Sequence, residues 1–166
     1  MDKNSNAYRG EGREIIFETD DGAQIIRRNG SPAWRNNNPG NLERGKFSIS
    51  KGAIGDDGRF AVFPDYLTGR KALESLLQTS SYKNLKIEDA MNRYAPGHEN
   101  DTKAYIEFIE NKASVDKKTL MRDLSSSGLT AFADAIERFE GNIEGEIIPI
   151  PRKKPIYDAT GRFIRD

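Results

Sequence analysis

The chain has no cysteine and only one histidine among its 166 residues. Disulfides, thiolate metal sites and cysteine nucleophiles are therefore excluded. A single imidazole also argues against a zinc set or a Ser-His-Asp triad. Net charge is missing as well: 26 Lys and Arg balance 26 Asp and Glu. Bulk charge thus directs the protein neither to nucleic acid nor to an anionic membrane. No apolar run approaches the roughly 20 residues of a transmembrane helix, so membrane insertion is not expected. The start, Met1-Asp2-Lys3-Asn4-Ser5-Asn6, lacks the apolar core of a secretory signal. There is no internal repeat. These absences leave a soluble, redox-indifferent single domain, large enough to bury a core and expected to be a monomer.

What is present divides in two. Residues 1–12, polar and Gly-containing, read as a disordered lead-in. Glu14–Glu18 and Ala23–Arg27 read as a hairpin around Asp20-Asp21-Gly22. Phe47-Ser48-Ile49 and Arg59–Phe63 read as short strands, and Asp56-Asp57-Gly58 as a reverse turn, since it lacks the further oxygens of a calcium loop. From Thr68 the apolar period becomes helical. Ala72, Leu73, Leu76 and Leu77 mark one helix, and Ile87, Ala90, Met91 and Tyr94 a second that stops before Pro96. A third spans Asp101–Lys112 with Asn100 or Asp101 as N-cap. After a short helical piece at Leu120–Leu124, a last helix carries Leu129, Phe132, Ala133, Ile136 and Phe139 and ends at Gly141. Ile147–Pro151 is extended by its prolines, and residues 151–166 form an extended tail. The expected class is α+β: a small antiparallel β element followed by a mostly helical body, the domain proper covering 13–150.

Asn36-Asn37-Asn38-Pro39-Gly40-Asn41 cannot propagate a helix. It reads as an ordered turn whose amides either cap their own backbone or present donors and acceptors to a neutral, acetamido-rich ligand such as a sugar chain. With cysteine absent and His98 read as an exposed loop residue, the available chemistry is that of carboxylates. Glycosidic cleavage needs an acid of raised pKa and a second carboxylate or polar group. Glu140 suits the first role: it follows Ile136 and Phe139 and stands at a helix C-terminus, where its charge opposes the helix dipole. Glu137 and Glu144 read as surface residues. Glu99 and Asp101, beside Asn100, either cap a helix or face a cleft in which Tyr94 and Tyr105 stack on sugar rings. Glu43, just past the Asn-rich loop, is a third candidate acid.

Trp34 to Leu42, then Gly52-Ala53-Ile54-Gly55, Phe60–Pro64, Gly69, Tyr94-Ala95-Pro96, Glu99–Thr102, Tyr105-Ile106, Ala135-Ile136 and Glu140-Gly141 form an ordered series over about residues 30–145. The series resembles a lysozyme-like family found in phage virions, endolysins and toxic domains of type VI secretion effectors. Ile136–Gly141 is similar to the helix ending in Glu-Gly that carries the acid in phage-type lysozymes. Asn37–Leu42 with Phe60–Pro64 is similar in layout to bacterial glucosaminidases. In both groups the catalytic helix precedes the β element, whereas here it follows, a permuted order. Family members often carry a basic residue where Glu43 stands.

The resemblance implies a peptidoglycan hydrolase, a muramidase cutting the β-1,4 bond after N-acetylmuramic acid. Glu140 would be the general acid and Glu99 or Asp101 the second carboxylate. Asn36, Asn37, Asn38, Asn41 and Asn100 would hold acetamido groups, with Tyr94 and Tyr105 as stacking surfaces and no metal or cofactor. A lytic transglycosylase, needing one acid, and a non-catalytic peptidoglycan-binding or virion module are the rivals. The expected setting is synthesis in the cytoplasm and action in the cell wall of a target bacterium after phage or type VI delivery. A toxin of this kind would be paired with a periplasmic immunity protein that plugs the cleft.

Overall fold

A computed structural model describes residues 3–151 and 156–165, apart from the side chains of Glu99, Asn100, Ile156, Ile164 and Arg165. It confirms the α+β class. Strands β1 (Asn4–Arg9), β2 (Glu14–Thr19), β3 (Gln24–Arg28) and β6 (Glu146–Ile150) form an antiparallel sheet in the order β1-β2-β3-β6. Two short strands, β4 (Gly55–Asp56) and β5 (Ala61–Val62), make a second, two-stranded ribbon. The helices are α1 (Pro32–Arg35), α2 (Lys46–Ser50), α3 (Tyr66–Leu77), α4 (Ile87–Tyr94), α5 (Glu99–Ala113) and α6 (Ser126–Glu140), with a 3-10 turn at Met121–Asp123.

The lead-in reading of residues 1–12 is corrected by β1. An edge strand needs only one buried contact, and Ala7 supplies it while its neighbours stay polar, so the segment looks disordered by composition. Ala7, Ile15, Phe17 and Val62 form a small core under the sheet, with Ile54 against it. The hairpin at Asp20-Asp21-Gly22 stands as expected, with Phe17 opposite Ile25. The far edge comes from β6, which contains Pro149 and whose Ile148 pairs with Ile26. The tail is likewise more than extended chain, because β7 (Ile156–Tyr157) and β8 (Phe163–Arg165) form a small hairpin.

Phe47-Ser48-Ile49 is helical rather than a strand. Its alternation misleads because Ile49 is not buried at all, standing 68% exposed, whereas Ser48 is buried and donates to the Glu43 carbonyl at 2.7 Å. The main core is helical, built on Leu73, Leu77, Ile87, Met91, Ile109, Phe132 and Ile136 with Phe63 from the loop after β5. Helix α3 is capped by Asp65, whose carboxylate accepts from the Thr68 amide at 2.8 Å. Helix α5 begins at Glu99, two or three residues earlier than a cap at Asn100 or Asp101 implies. His98 is its N-cap residue without a side-chain bond, and buried Thr102 donates from backbone and hydroxyl to the His98 carbonyl.

Two contacts set the helical body against the Asn-rich loop. Gly69 packs so closely that an added Cβ would lie 1.9 Å from the Asn37 carbonyl oxygen. Arg70 clamps α3 to α6, reaching Asp134 and Glu137 at 2.9 Å each and Glu74 at 3.2 Å. Glu137, expected at the surface, is thus tied down, and Tyr66 donates a second bond to it. The last helix of the chain is thereby fixed against the loop that precedes α2, and Glu140 is brought to Asn41 across 99 residues of sequence.

Candidate functional site

The Asn-rich loop leaves α1 at Arg35 and turns twice through left-handed backbone, at Asn37 (φ 49°) and Asn41 (φ 48°). Asparagine tolerates that conformation better than other side-chain-bearing residues. Three of the four asparagines then point inward, which corrects their reading as the floor of a sugar cleft. Asn38 is fully buried, donates to the carbonyls of Leu42 and Ala61, and accepts from the Leu42 amide, all at 2.9 Å. Asn37 donates to the Phe63 carbonyl at 3.2 Å. Asn36 donates to Asp57 at 3.0 Å, and that carboxylate also takes the amides of Arg59 and Phe60. These bonds stitch the loop to β5 and to the turn before it. Each amide replaces a missing strand partner, because the loop is too irregular to form a ladder. Burial, the largest single influence, pushes the Asp57 pKa up, but the Phe60 and Arg59 amides, Asn36 and nearby Arg35 together bring it below its ordinary value.

Asn41 alone of the four faces a cavity. The cleft it lines has a volume of about 560 Å³ and is bordered also by Glu43, Arg59, Phe60, Tyr82 and Glu140. The Asn41 side-chain amide donates to Glu140 Oε2 at 2.8 Å. Glu140 ends α6, and Gly141, in left-handed backbone at φ 74°, turns the chain away so that no further helical turn covers the carboxyl. Burial pushes the Glu140 pKa up, while the Asn41 bond and the charges of Arg59 and His98 pull it back. A carboxyl that holds its proton to higher pH than an ordinary glutamate has the property that a general acid requires. The Asn41 Oδ1 is buried without a protein partner. Turning the amide over would present this acceptor to the O–H of protonated Glu140, so one side chain can serve both protonation states.

Among the described residues the other carboxylate lining the cleft is Glu43, which is exposed and pairs with Phe60 through an isolated antiparallel bridge. Asp101 is exposed on the first turn of α5 and does not line the cleft, which corrects its placement there. The side chains of Glu99 and Asn100 lie outside the described residues. Tyr94 lines the cleft, but its hydroxyl donates to the Gly40 carbonyl, and burial together with Glu140 and Tyr82 raises its pKa well above the ordinary value. That bond ties its ring to the Gly40-Asn41 turn. Tyr105 is corrected likewise: it packs edge-on against Phe139 at 5.9 Å and is outside the cleft lining. His98, exposed as expected, also packs edge-on against the Phe139 ring at 5.2 Å.

The aromatic surfaces of the cleft are instead Phe47, Phe60 and Tyr82, with Arg59 over the Phe60 ring at 4.7 Å. Sequence reasoning missed them because Phe47 and Phe60 both read as strand residues. The usable signal was the Asp-Asp-Gly turn, which returns Arg59 and Phe60 alongside Glu43 and Arg44, where the Arg44 amide bonds the Arg59 carbonyl at 2.9 Å. Among the described residues no group of three or more His, Asp or Glu side chains is placed to hold a metal ion. The arrangement can bind a neutral ligand by stacking and amide contacts and can deliver a proton from Glu140.

No protein-family model matches the chain. Over 95 residues it is 32% identical to Protein P5 of Pseudoalteromonas phage PM2, a match covering 54% of this chain and 59% of that protein. The chain thus matches less than two thirds of the length of this relative, and what the comparison establishes is similarity to a phage protein.

Proposed function

We propose that this protein cleaves the glycan strands of peptidoglycan, as a muramidase acting on the β-1,4 bond after N-acetylmuramic acid. The observation that carries the proposal is the setting of Glu140: a half-buried carboxyl of raised pKa, bonded to Asn41, in a cleft that also holds Glu43. Glu140 protonates the leaving glycosidic oxygen. Glu43, on the exposed rim, activates water or stabilises the positive charge developing on the sugar ring. Arg59 limits the rise in the Glu140 pKa, and Phe47, Phe60 and Tyr82 offer ring faces to the sugars. The lysozyme-like series of motifs and the similarity to a phage protein support a role in phage lysis or virion entry, with type VI delivery as the rival setting. In the latter case a periplasmic immunity protein would fill the cleft.

The test is mass spectrometry of soluble fragments released from purified peptidoglycan, comparing wild type with Glu140→Gln. Reducing-end muramic acid in the products is expected, and it disappears in the variant at retained fold. Anhydro ends would instead make the protein a lytic transglycosylase on the same substrate. No release by wild type would sink the enzymatic reading and leave a binding module.

A further inference from the structure

The bond between Asn41 and Glu140 depends on how the Asn41 backbone is held. The Asn41 Oδ1 has no partner among the described residues, so the side-chain amide is fixed only by its donation to Glu140 at 2.8 Å and by its own Cα. That Cα lies in left-handed backbone (φ 48°), which asparagine tolerates without preferring it. Two peptide planes flank it, and each is rigid. The plane after it is anchored where the Leu42 amide donates to Asn38 Oδ1 at 2.9 Å. The plane before it is anchored at both ends: the Asn41 amide donates to the Asn38 carbonyl at 2.9 Å, and the Gly40 carbonyl accepts from the Tyr94 hydroxyl. Two of these three anchors are internal to the loop. The third comes from the end of α4, 54 positions along the chain, and ties the loop to the helical body. Gly40 fits it closely, since an added Cβ would lie 2.6 Å from the hydroxyl oxygen, 2.8 Å from a Leu73 methyl and 2.9 Å from a Leu42 methyl. A plane held at one end can swing, whereas one held at both cannot.

We infer that the Tyr94 hydroxyl is a positioning group for Glu140, acting through Gly40 and Asn41 and touching no substrate itself. The inference rests on the reading of Glu140 as the acid. Loss of the hydroxyl frees the Gly40 carbonyl, the peptide plane swings, and the Asn41 amide leaves the carboxyl. Because that amide favours the ionised form, Glu140 then keeps its proton to higher pH. The other groups facing the carboxyl stay in place: Arg59 from the turn before β5, His98 at the N-cap of α5, and Glu43, Arg44, Lys46 and Tyr82 around the cleft. On α6 itself Glu137 is paired with Arg70 and Arg138 lies over the Phe108 ring, so neither answers to Tyr94.

In the test, the side-chain carboxyl carbon of Glu140 is followed by NMR against pH in the full chain, for wild type, Tyr94→Phe, Asn41→Ala and the double variant. Tyr94→Phe keeps the ring and should raise the titration midpoint in the direction of Asn41→Ala and to most of its extent. In the double variant it should add nothing further, because the path it acts through is gone. A merely structural role would lower Tm and leave the midpoint unmoved. A direct effect of the hydroxyl on the carboxyl would add in full on the Asn41→Ala background. Either result would overturn the inference. Gly40→Ala, whose Cβ displaces the same hydroxyl, is the second variant should Tyr94→Phe not fold, and it is expected to raise the midpoint likewise. The alkaline limb of glycan release should move with the midpoint. A midpoint that moves as expected in a protein that releases no fragments would uphold the positioning role and sink the glycosidase. An unmoved midpoint with release intact would do the reverse.

Discussion

Replacing Asn38 with alanine removes three buried hydrogen bonds at once, each 2.9 Å long. Their loss is unequal. The Leu42 carbonyl keeps the Ala61 amide as a partner at 2.9 Å, whereas the Leu42 amide has its bond to Asn38 and is buried. An orphaned buried donor costs about 1–3 kcal/mol, and the two weakened carbonyls add roughly 1 kcal/mol each. The sum is about 3–5 kcal/mol, a large share of the roughly 5–15 kcal/mol that stabilises a domain. For a chain of this size that lowers Tm by about 6–20 °C. Asn38→Asp, closer in shape, should be no better. It keeps an acceptor for the Leu42 amide but sets a carboxylate oxygen against two carbonyl oxygens. Urea unfolding followed by circular dichroism measures both variants. A loss below about 1 kcal/mol together with lost sugar binding would refute the reasoning, since it would place Asn38 in the cleft and out of the scaffold.

Three other outcomes follow from the same geometry. A carboxyl whose folded pKa is raised binds its proton more tightly in the native state, so its contribution to stability falls as pH rises from the unfolded value through the folded one. Glu140→Gln should accordingly be more stable than wild type at neutral pH by about 0.3–1 kcal/mol, with Tm about 1–4 °C higher. The gain should vanish below about pH 4, and scanning calorimetry across that range would expose a pH-independent difference as a failure of the argument. Because the Asn41 bond lowers the Glu140 pKa, Asn41→Ala should move the alkaline limb of the activity profile to higher pH, and an unmoved limb would dissociate Asn41 from the acid. Gly69→Ala gains about 1 kcal/mol of helix propensity yet should lose about 1–3 kcal/mol net, because its Cβ would press on the Asn37 carbonyl. A stabilised variant in urea melts would show that α3 can shift away without cost.

Local pattern carried much of the fold. The helical periods at Ala72–Leu77, Ile87–Tyr94 and Leu129–Phe139, the stop before Pro96 and the hairpin at Asp20–Gly22 all stand in the structure, because burial on one face and turn chemistry are short-range demands. Phe47–Ile49 escaped the reading because three residues cannot distinguish a strand from a helix when the outward one is also apolar. The edge strand Asn4–Arg9 escaped it because its pairing with β2, and not its own composition, holds it.

By itself the sequence determined that cysteine chemistry is excluded, that Glu140 ends a helix against its dipole, and that the Asn-rich segment is an ordered turn. Side-chain type and local backbone preference suffice for each of those. Only tertiary structure decided which asparagines are buried in the scaffold and which one faces the cleft. Asn36, Asn37 and Asn38 satisfy backbone and side-chain groups brought from residues 42, 57, 61 and 63, while Asn41 meets a carboxyl 99 positions away. Among the described residues it places Glu43, and not Asp101, in the cleft with Glu140, because the cleft opens between the loop and the end of α6. The identity of a partner across such a gap depends on how helices pack, through contacts such as Gly69 on Asn37 and Arg70 on Glu137, and no local window of the chain contains that information.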